Sequence, residues 1–225
     1  MRARSRAKPQ PRPPLSRERV LRAALRLADE SGIDSLTMRE LGQRLGVEAM
    51  SLYNHVANKD DILDGMIDLV VAEIDLPSGD VDWREAMRRR AVSARDVFGR
   101  HPWASALIDS RQSGGPERMR YFDWVIGTLR RAGFSVKVAL YAFSAIDSYV
   151  YGFRKQQLNS SAGQAGSQEA AEAFLAMVPA EQFPYLAEAI TDYVLSAGYD
   201  ETADFEFGLD LILDGLERVR VSGTH

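Results

Sequence analysis

No cysteine occurs among the 225 residues. Disulfides and thiolate chemistry are therefore excluded, and the composition suits a reducing compartment. Histidine is almost as scarce: His55, His101 and His225 are the whole complement, and none has a partner at the spacing of a metal site or a catalytic triad. His101 reads as a helix-start residue ahead of Pro102. No apolar run approaches the roughly 18 residues of a membrane span, and prolines, not a signal-peptide apolar stretch, follow the basic N-terminus. A cytoplasmic protein without a membrane partner is expected. There is no β alternation and no internal repeat, and Gly114-Gly115 follows no strand that could open a phosphate-binding turn. The expectation is a protein that is not an enzyme and has no cofactor and no metal.

What is present is charge, unevenly placed. The chain carries a formal net charge of −4, yet residues 1–60 hold 12 Lys and Arg against 7 Asp and Glu, a net of +5, and the remainder carries −9. A basic head on an acidic body suits attraction to phosphates. Residues 1–15 interleave Arg2, Arg4, Arg6, Lys8 and Arg12 with Pro9, Pro11, Pro13 and Pro14. Such a composition holds neither helix nor core, so a disordered basic arm is expected, either a solvated tail or an addition to phosphate or minor-groove contacts.

Residues 37–60 are the most informative stretch. Thr37 and Glu40 form the pattern of a capping box, predicting a helix from Met38 to Leu45. Gly46 then stands where a left-handed C-cap is needed, and Val47 supplies the apolar contact that closes the turn. A second helix is expected from Ala49 to Val56, with Leu52 and Val56 facing Leu41, Leu45 and the preceding helix. That preceding helix runs from Ser16 to about Ser31, with Val20, Leu21, Ala24, Leu25 and Ala28 as its core stripe and Gly32 at its end. The outward face carries Met50, Ser51, Asn54 and His55, with Ala49 at the tip and Tyr53 on the flank. Short side chains there can reach base edges, whereas a phenol and an ammonium suit phosphates.

The block Leu36-Thr37-x-Arg39-x-Leu41, Leu45-Gly46-Val47, Ser51-Leu52-Tyr53-x-His55-Val56 and Asn58-Lys59-Asp60-x-Ile62-Leu63 resembles the DNA-binding domain of the tetracycline-repressor (TetR/AcrR) family of bacterial transcriptional regulators. Gly133-Phe134-Ser135, the run Ala139 to Ala145 and the run Phe205 to Glu217 are similar to the C-terminal half of the tetracycline repressors. The expected fold is all-α: a three-helix helix-turn-helix DNA-binding domain over 16–62, joined to a helical-bundle ligand-binding and dimerisation domain over 63–225.

After Asn58, which can cap a helix over Lys59 to Asp75, the sequence predicts helices over about 83–98, 103–109, 117–132, 135–158, 167–177, 184–197 and 202–220. The stretch Asn159 to Gly166 has linker composition and is expected to be a disordered surface loop. Between Val138 and Phe153 the only charge is Asp147, so that helix must be covered on both sides. In the last helix Gly208 and Gly215 lie one heptad apart beside Leu211, Ile212 and Leu216, where another backbone could approach. Together the two helices suggest a four-helix interface in a homodimer; an ordinary monomer core is the alternative.

Aromatic side chains are plentiful in the larger domain, and Phe98, Trp103, Tyr121, Trp124, Tyr149 and Phe153 divide between core and a small-molecule pocket, with Asp147 and Arg111 as candidates for orienting polar groups. Phe122 belongs to the same set of rings. The resemblance places Ile108 where the tetracycline repressors carry a metal-binding histidine, and Gln156 near the position of an acidic residue supplied by the partner subunit. No magnesium-dependent tetracycline binding is expected.

The resemblance implies a regulator, most simply a repressor, that binds double-stranded, pseudo-palindromic operator DNA and is released by a small-molecule effector of unknown identity. In it Thr37 and Arg39 would touch phosphates; Ala49, Met50, Ser51 and Asn54 would face bases; Tyr53, His55 and Lys59 would fix position on the backbone. Asn54 would read a base by hydrogen bonds or touch phosphate alone. The ligand would displace the helix that follows Asn58 and change the separation of two recognition helices, which need half-sites about one turn, 34–36 Å, apart. A sequence-indifferent DNA-compacting protein, and a helical-bundle carrier or enzyme with an incidental head, are the competing classes.

Overall fold

The computed structural model describes residues 14–79, 81–108, 111, 114–162, 168–196 and 201–223. Eleven α-helices and no strand occur among them, so the all-α expectation is borne out. The expected arm lies outside the described residues except for Pro14 and Leu15.

The chain divides into two compact units, the first ending at Met66 and the second beginning at Ile67. In the first, α1 (Arg17–Ser31) starts at Ser16, whose hydroxyl accepts the Arg19 N–H at 3.2 Å. Its buried stripe is Val20, Leu21, Ala23, Ala24, Leu27 and Ala28. Leu25, expected in that stripe, is only half-buried; Leu27 takes the core position because the apolar positions leave the choice between them open. After α2 (Met38–Leu45), Gly46 adopts φ 70°, ψ 37°. Its N–H donates to Gln43 O and the Val47 N–H to Gly42 O, at 3.1 and 3.0 Å. These two bonds close the helix end in the Schellman arrangement, for which glycine has the least steric cost.

α3 (Ala49–Leu52) is shorter than the expected Ala49 to Val56. Beyond Leu52 the chain tightens: the Asn54 and His55 N–H groups donate three residues back, to Ser51 O and Leu52 O, so Tyr53 to His55 form a turn. α4 (Lys59–Val71) begins under Asn58, whose side-chain oxygen accepts the Asp61 N–H at 2.8 Å. It ends four residues before the expected Asp75, because the N–H groups of Glu73 and Ile74 turn to acceptors three residues back. Asp61 accepts the Ala57 N–H at 2.9 Å and both outer nitrogens of Arg17 at 2.7 and 2.6 Å, tying the start of α4 to the start of α1.

In the second unit α5 (Trp83–Arg100), α6 (Pro102–Leu107) and α7 (Pro116–Arg131) pack against the long α8 (Val136–Ala162), as does the final helix α11 (Glu201–Ser222). α8 continues through Asn159 to Ala162, where a loop was expected: serine and asparagine are weak helix formers, but the preceding turns hold them in register. The remainder of that expected loop, 163–167, lies outside the described residues. α9 (Gln168–Met177) and α10 (Pro184–Ala189) follow, and the helix expected to reach 197 widens into a π turn over Ile190–Val194.

Ala139, Ala142, Ile146 and Val150 form the buried side of α8, while Leu140 and Tyr141 stay exposed; Phe207 and Leu211 on α11 are exposed too. Within the chain Gly208 makes room for the phenol of Tyr149, whereas a side chain at Gly215 would meet nothing of the same chain.

Candidate functional site

The turn between α2 and α3 is set by contact as much as by Gly46. A Cβ at Gly42 would lie 2.9 Å from Val47 O and 3.2 Å from the Ala49 nitrogen, so the turn rests directly on the α2 backbone. Glycine at 42 is needed for that closeness, a requirement the apolar periodicity does not reveal. Leu52 and Val56 then anchor the segment by burial, leaving Met50 75% and Tyr53 46% exposed. Asn54 is exposed as well, and Ala49, Ser51 and His55 are half-buried. Arg39 in the first turn of α2 and Lys59 at the head of α4 are exposed. The Thr37 hydroxyl accepts the Glu40 N–H at 3.1 Å, which leaves its own O–H able to donate. All nine residues expected at DNA fall in the first unit and none is in its core.

The second unit holds a cavity of about 180 Å³ lined by Val71, Ile74, Ile108, Arg118, Tyr121, Phe122, Phe143, Ser144, Asp147, Ser148 and Tyr151. Its walls are mainly aliphatic and aromatic, with Phe143 edge-on to Phe122 at 5.2 Å between centroids. Its polar floor is a closed network. Asp147 accepts Arg90 Nη1 at 2.6 Å, the Tyr121 hydroxyl at 3.1 Å to each oxygen, and the Tyr151 hydroxyl at 3.2 Å. Arg90 Nη1 also donates to the Tyr121 oxygen.

Arg90 is fully buried. Burial is the largest influence on its pKa and opposes the charge, but the Tyr121 oxygen and the Asp147 carboxylate outweigh it and hold the value above that of an ordinary guanidinium. Burial, joined by the Asp147 charge, pushes both Tyr121 and Tyr151 well above the usual phenol range, so both remain neutral donors to the carboxylate. Both oxygens of Asp147 are thus engaged before any ligand arrives. Arg90 Nε and Nη2 are buried without a hydrogen-bond partner among the described residues, an arrangement maintained by the ion pair.

Of the eight residues expected at a ligand, Tyr121 and Asp147 line this cavity. Trp124 lines a second, more polar cavity of about 360 Å³ with Trp83, Arg131 and Arg220. Phe98 is core, edge-on to Tyr151 at 5.2 Å; Trp103 is buried against His101. Tyr149 stacks on Phe205 and donates to its carbonyl at 3.0 Å, and Phe153 packs on the same ring. Arg111 presents its carbonyl to Arg118. Arg118, Phe143, Ser144, Ser148 and Tyr151 escaped the sequence reading because nothing in a helical period says which side of a buried stripe meets empty space. Ile108, placed by resemblance where a histidine would bind metal, does stand in the cavity wall.

Residues 20–66 match the family described as bacterial regulatory proteins of the tetR family, and residues 76–220 match the tetracyclin repressor-like C-terminal domain. The chain belongs to the tetracycline-repressor family. The resemblance read in the block from Leu36 to Leu63 and in the C-terminal segments is borne out on both halves of this family member. It is 33% identical to the HTH-type transcriptional repressor DrrR1 of Streptomyces coeruleorubidus, over 92% of the chain and 79% of that relative. With the class A tetracycline repressor of Escherichia coli it shares 35% identity over 90% of both. Among solved structures, the TetR family protein ActR of Streptomyces coelicolor, in complex with actinorhodin, matches with a TM-score of 0.78 and 29% identity, over 92% of this chain and 98% of that one.

Proposed function

We propose that this chain is a cytoplasmic, homodimeric transcriptional repressor that holds a palindromic operator and releases it when a small molecule enters the cavity of the second unit. It works by binding and not by catalysis. Residues 16–62 serve as the DNA-binding domain and 63–225 as the effector and dimerisation domain, with the exposed faces of α8 and α11 meeting their copies across a two-fold axis. Thr37 and Arg39 hold phosphates, Ala49, Met50, Ser51 and Asn54 face bases, and Tyr53, His55 and Lys59 fix position.

One observation carries the reading. α4 opens in the first unit at Lys59, and its last residue, Val71, lines the cavity together with Ile74. A molecule that presses on those two side chains therefore acts on the helix that leaves the DNA-binding unit.

The cavity also selects. An engineered cavity of about 150 Å³ admits benzene, so one aromatic ring fits here, and a larger fused-ring molecule would extend past the exposed Ser144 and Ser148. Asp147 is neutralised by Arg90 and saturated with donors, which disfavours a cationic ligand and leaves the serine hydroxyls to orient an aromatic effector. That the solved ActR complex holds actinorhodin supports an aromatic class. Ile108 offers no metal ligand, so the effector does not enter as a magnesium chelate.

Screening flat aromatic metabolites for release of labelled operator tests this. A true effector should bind free protein about 5–150-fold more tightly than operator-bound protein, and operator should weaken it by the same factor. Equal affinity for both forms would contradict the reading, as would a large magnesium-dependent rise in melting temperature with tetracycline.

A further inference from the structure

We propose that Asp68 and Gly115 form the joint through which the cavity and α4 move together, with Arg118 carrying the motion to the cavity wall. The inference rests on the regulatory reading above and names the residues that transmit its signal.

The N-terminus of α7 is unusual in its capping. Its N-cap position is Gly115, which has no side chain to offer the first turn. The N–H of Arg118, one of the donors an N-cap side chain would satisfy, donates instead to Asp68 Oδ1 at 2.9 Å. The cap of α7 is thus supplied by α4, and the carboxylate also suits the positive end of the helix.

Backbone conformation does not explain Gly115. Its φ of −62° and ψ of 153° are open to any residue. The obstacle is space: a Cβ there would fall inside the Asp68 carboxylate, with Oδ1, Cγ and Cβ of Asp68 as its nearest atoms. Glycine at 115 leaves room for a carboxylate reaching in from another helix.

Arg118 completes the joint. Its side chain donates through Nη2 to Ile108 O at 3.0 Å and through Nη1 to Arg111 O, and its guanidinium lies 5.5 Å from the centre of the Phe122 ring. Ile108, Phe122 and Arg118 all line the cavity. One residue therefore holds the cavity wall by its side chain and α4 by its backbone. Asp68 is a positioning residue in this scheme: it touches neither DNA nor effector.

Operator DNA is the probe for the test, since linkage makes the route run in both directions. The full-length protein is mixed with a duplex selected from a random pool, and hydrogen exchange is followed over residues 115–122. In the wild type, operator should slow exchange at the Arg118 amide by at least about fivefold. Asp68→Ala should abolish that response while operator affinity stays within about threefold, and Asp68→Asn, which keeps an acceptor oxygen, should retain it. Gly115→Ala should lose it because the added methyl evicts the carboxylate. If that variant fails to fold, Gly115→Ala combined with Asp68→Ala has room for the methyl, and it should fold and still lack the response. A merely structural cap would change basal exchange and leave the operator response intact. A wild type that binds operator without slowing at Arg118, or an Asp68→Ala variant that responds like wild type, overturns the joint alone. A wild type that selects no duplex overturns the regulatory reading itself.

Discussion

Asp147 shows how much one side chain decides. It is the only charged group between Val138 and Phe153, and it sits beneath the cavity as the acceptor for Arg90, Tyr121 and Tyr151. Asp147→Ala strands a fully buried guanidinium, and breaking a buried pair from one side costs about 3–5 kcal/mol. Replacing Arg90 and Asp147 together by leucine should recover most of that loss, because no uncompensated charge remains. Urea unfolding of both variants checks the contrast, and a single variant within about 1 kcal/mol of wild type would contradict the network's role. Asn54 is the corresponding residue proposed for the DNA side. It is exposed, and its amide can pair with adenine at two points in a major groove, a contact worth about 1–3 kcal/mol of discrimination. Asn54→Ala should relax preference at one base position of each half-site, read by competition between substituted duplexes; uniform weakening across all sequences would assign Asn54 to phosphate instead.

At the scale of elements, the caps and the buried stripes were legible, and the ends of helices less so. Thr37, Gly46 and Asn58 each do locally what their types dictate, because a cap is a short-range bond between neighbours in sequence. α3 ends early and α4 stops at Val71 for reasons no local rule contains: the turn at Tyr53 to His55 follows the burial of Leu52 and Val56, a tertiary demand. The cavity was legible only in part, since Tyr121 and Asp147 were accessible to sequence reasoning while Arg118 and Tyr151 were not. The pairing of Arg17 with Asp61 was equally hidden, spanning 44 positions. It ties α1 to α4, and the hydrogen bond from Arg17, against some loss from burial, holds the Asp61 carboxyl below its ordinary range. A carboxyl lowered in the folded state adds stability that is present above the unfolded pKa near 4 and disappears as pH falls through the folded value. Asp61→Asn should therefore flatten the loss of stability on acidification below about pH 4. A variant whose melting temperature falls with pH as steeply as wild type's would contradict this.

For the whole molecule, separation of charge and duplication of the head belong to one design. The basic excess sits in residues 1–60 and the acidic excess beyond them, so phosphate attraction is concentrated in the N-terminal part of the chain. A single head reads only a few base pairs, and specificity grows when a two-fold axis presents two heads to successive turns of the duplex. In the proposed dimer the exposed Leu140, Tyr141, Phe207 and Leu211 on α8 and α11 would supply apolar surface for that axis. On the proposed reading, a cavity that touches the last residue of α4 would regulate both heads at once, because a few ångströms of change in their separation would spoil docking. Selection from a random pool of duplex DNA by the full-length protein probes that claim most directly. The expected result is one enriched sequence, a pseudo-palindrome with half-site centres 10–10.5 base pairs apart or a multiple of that; a pool that stays random, or a lone unrepeated half-site, would contradict it.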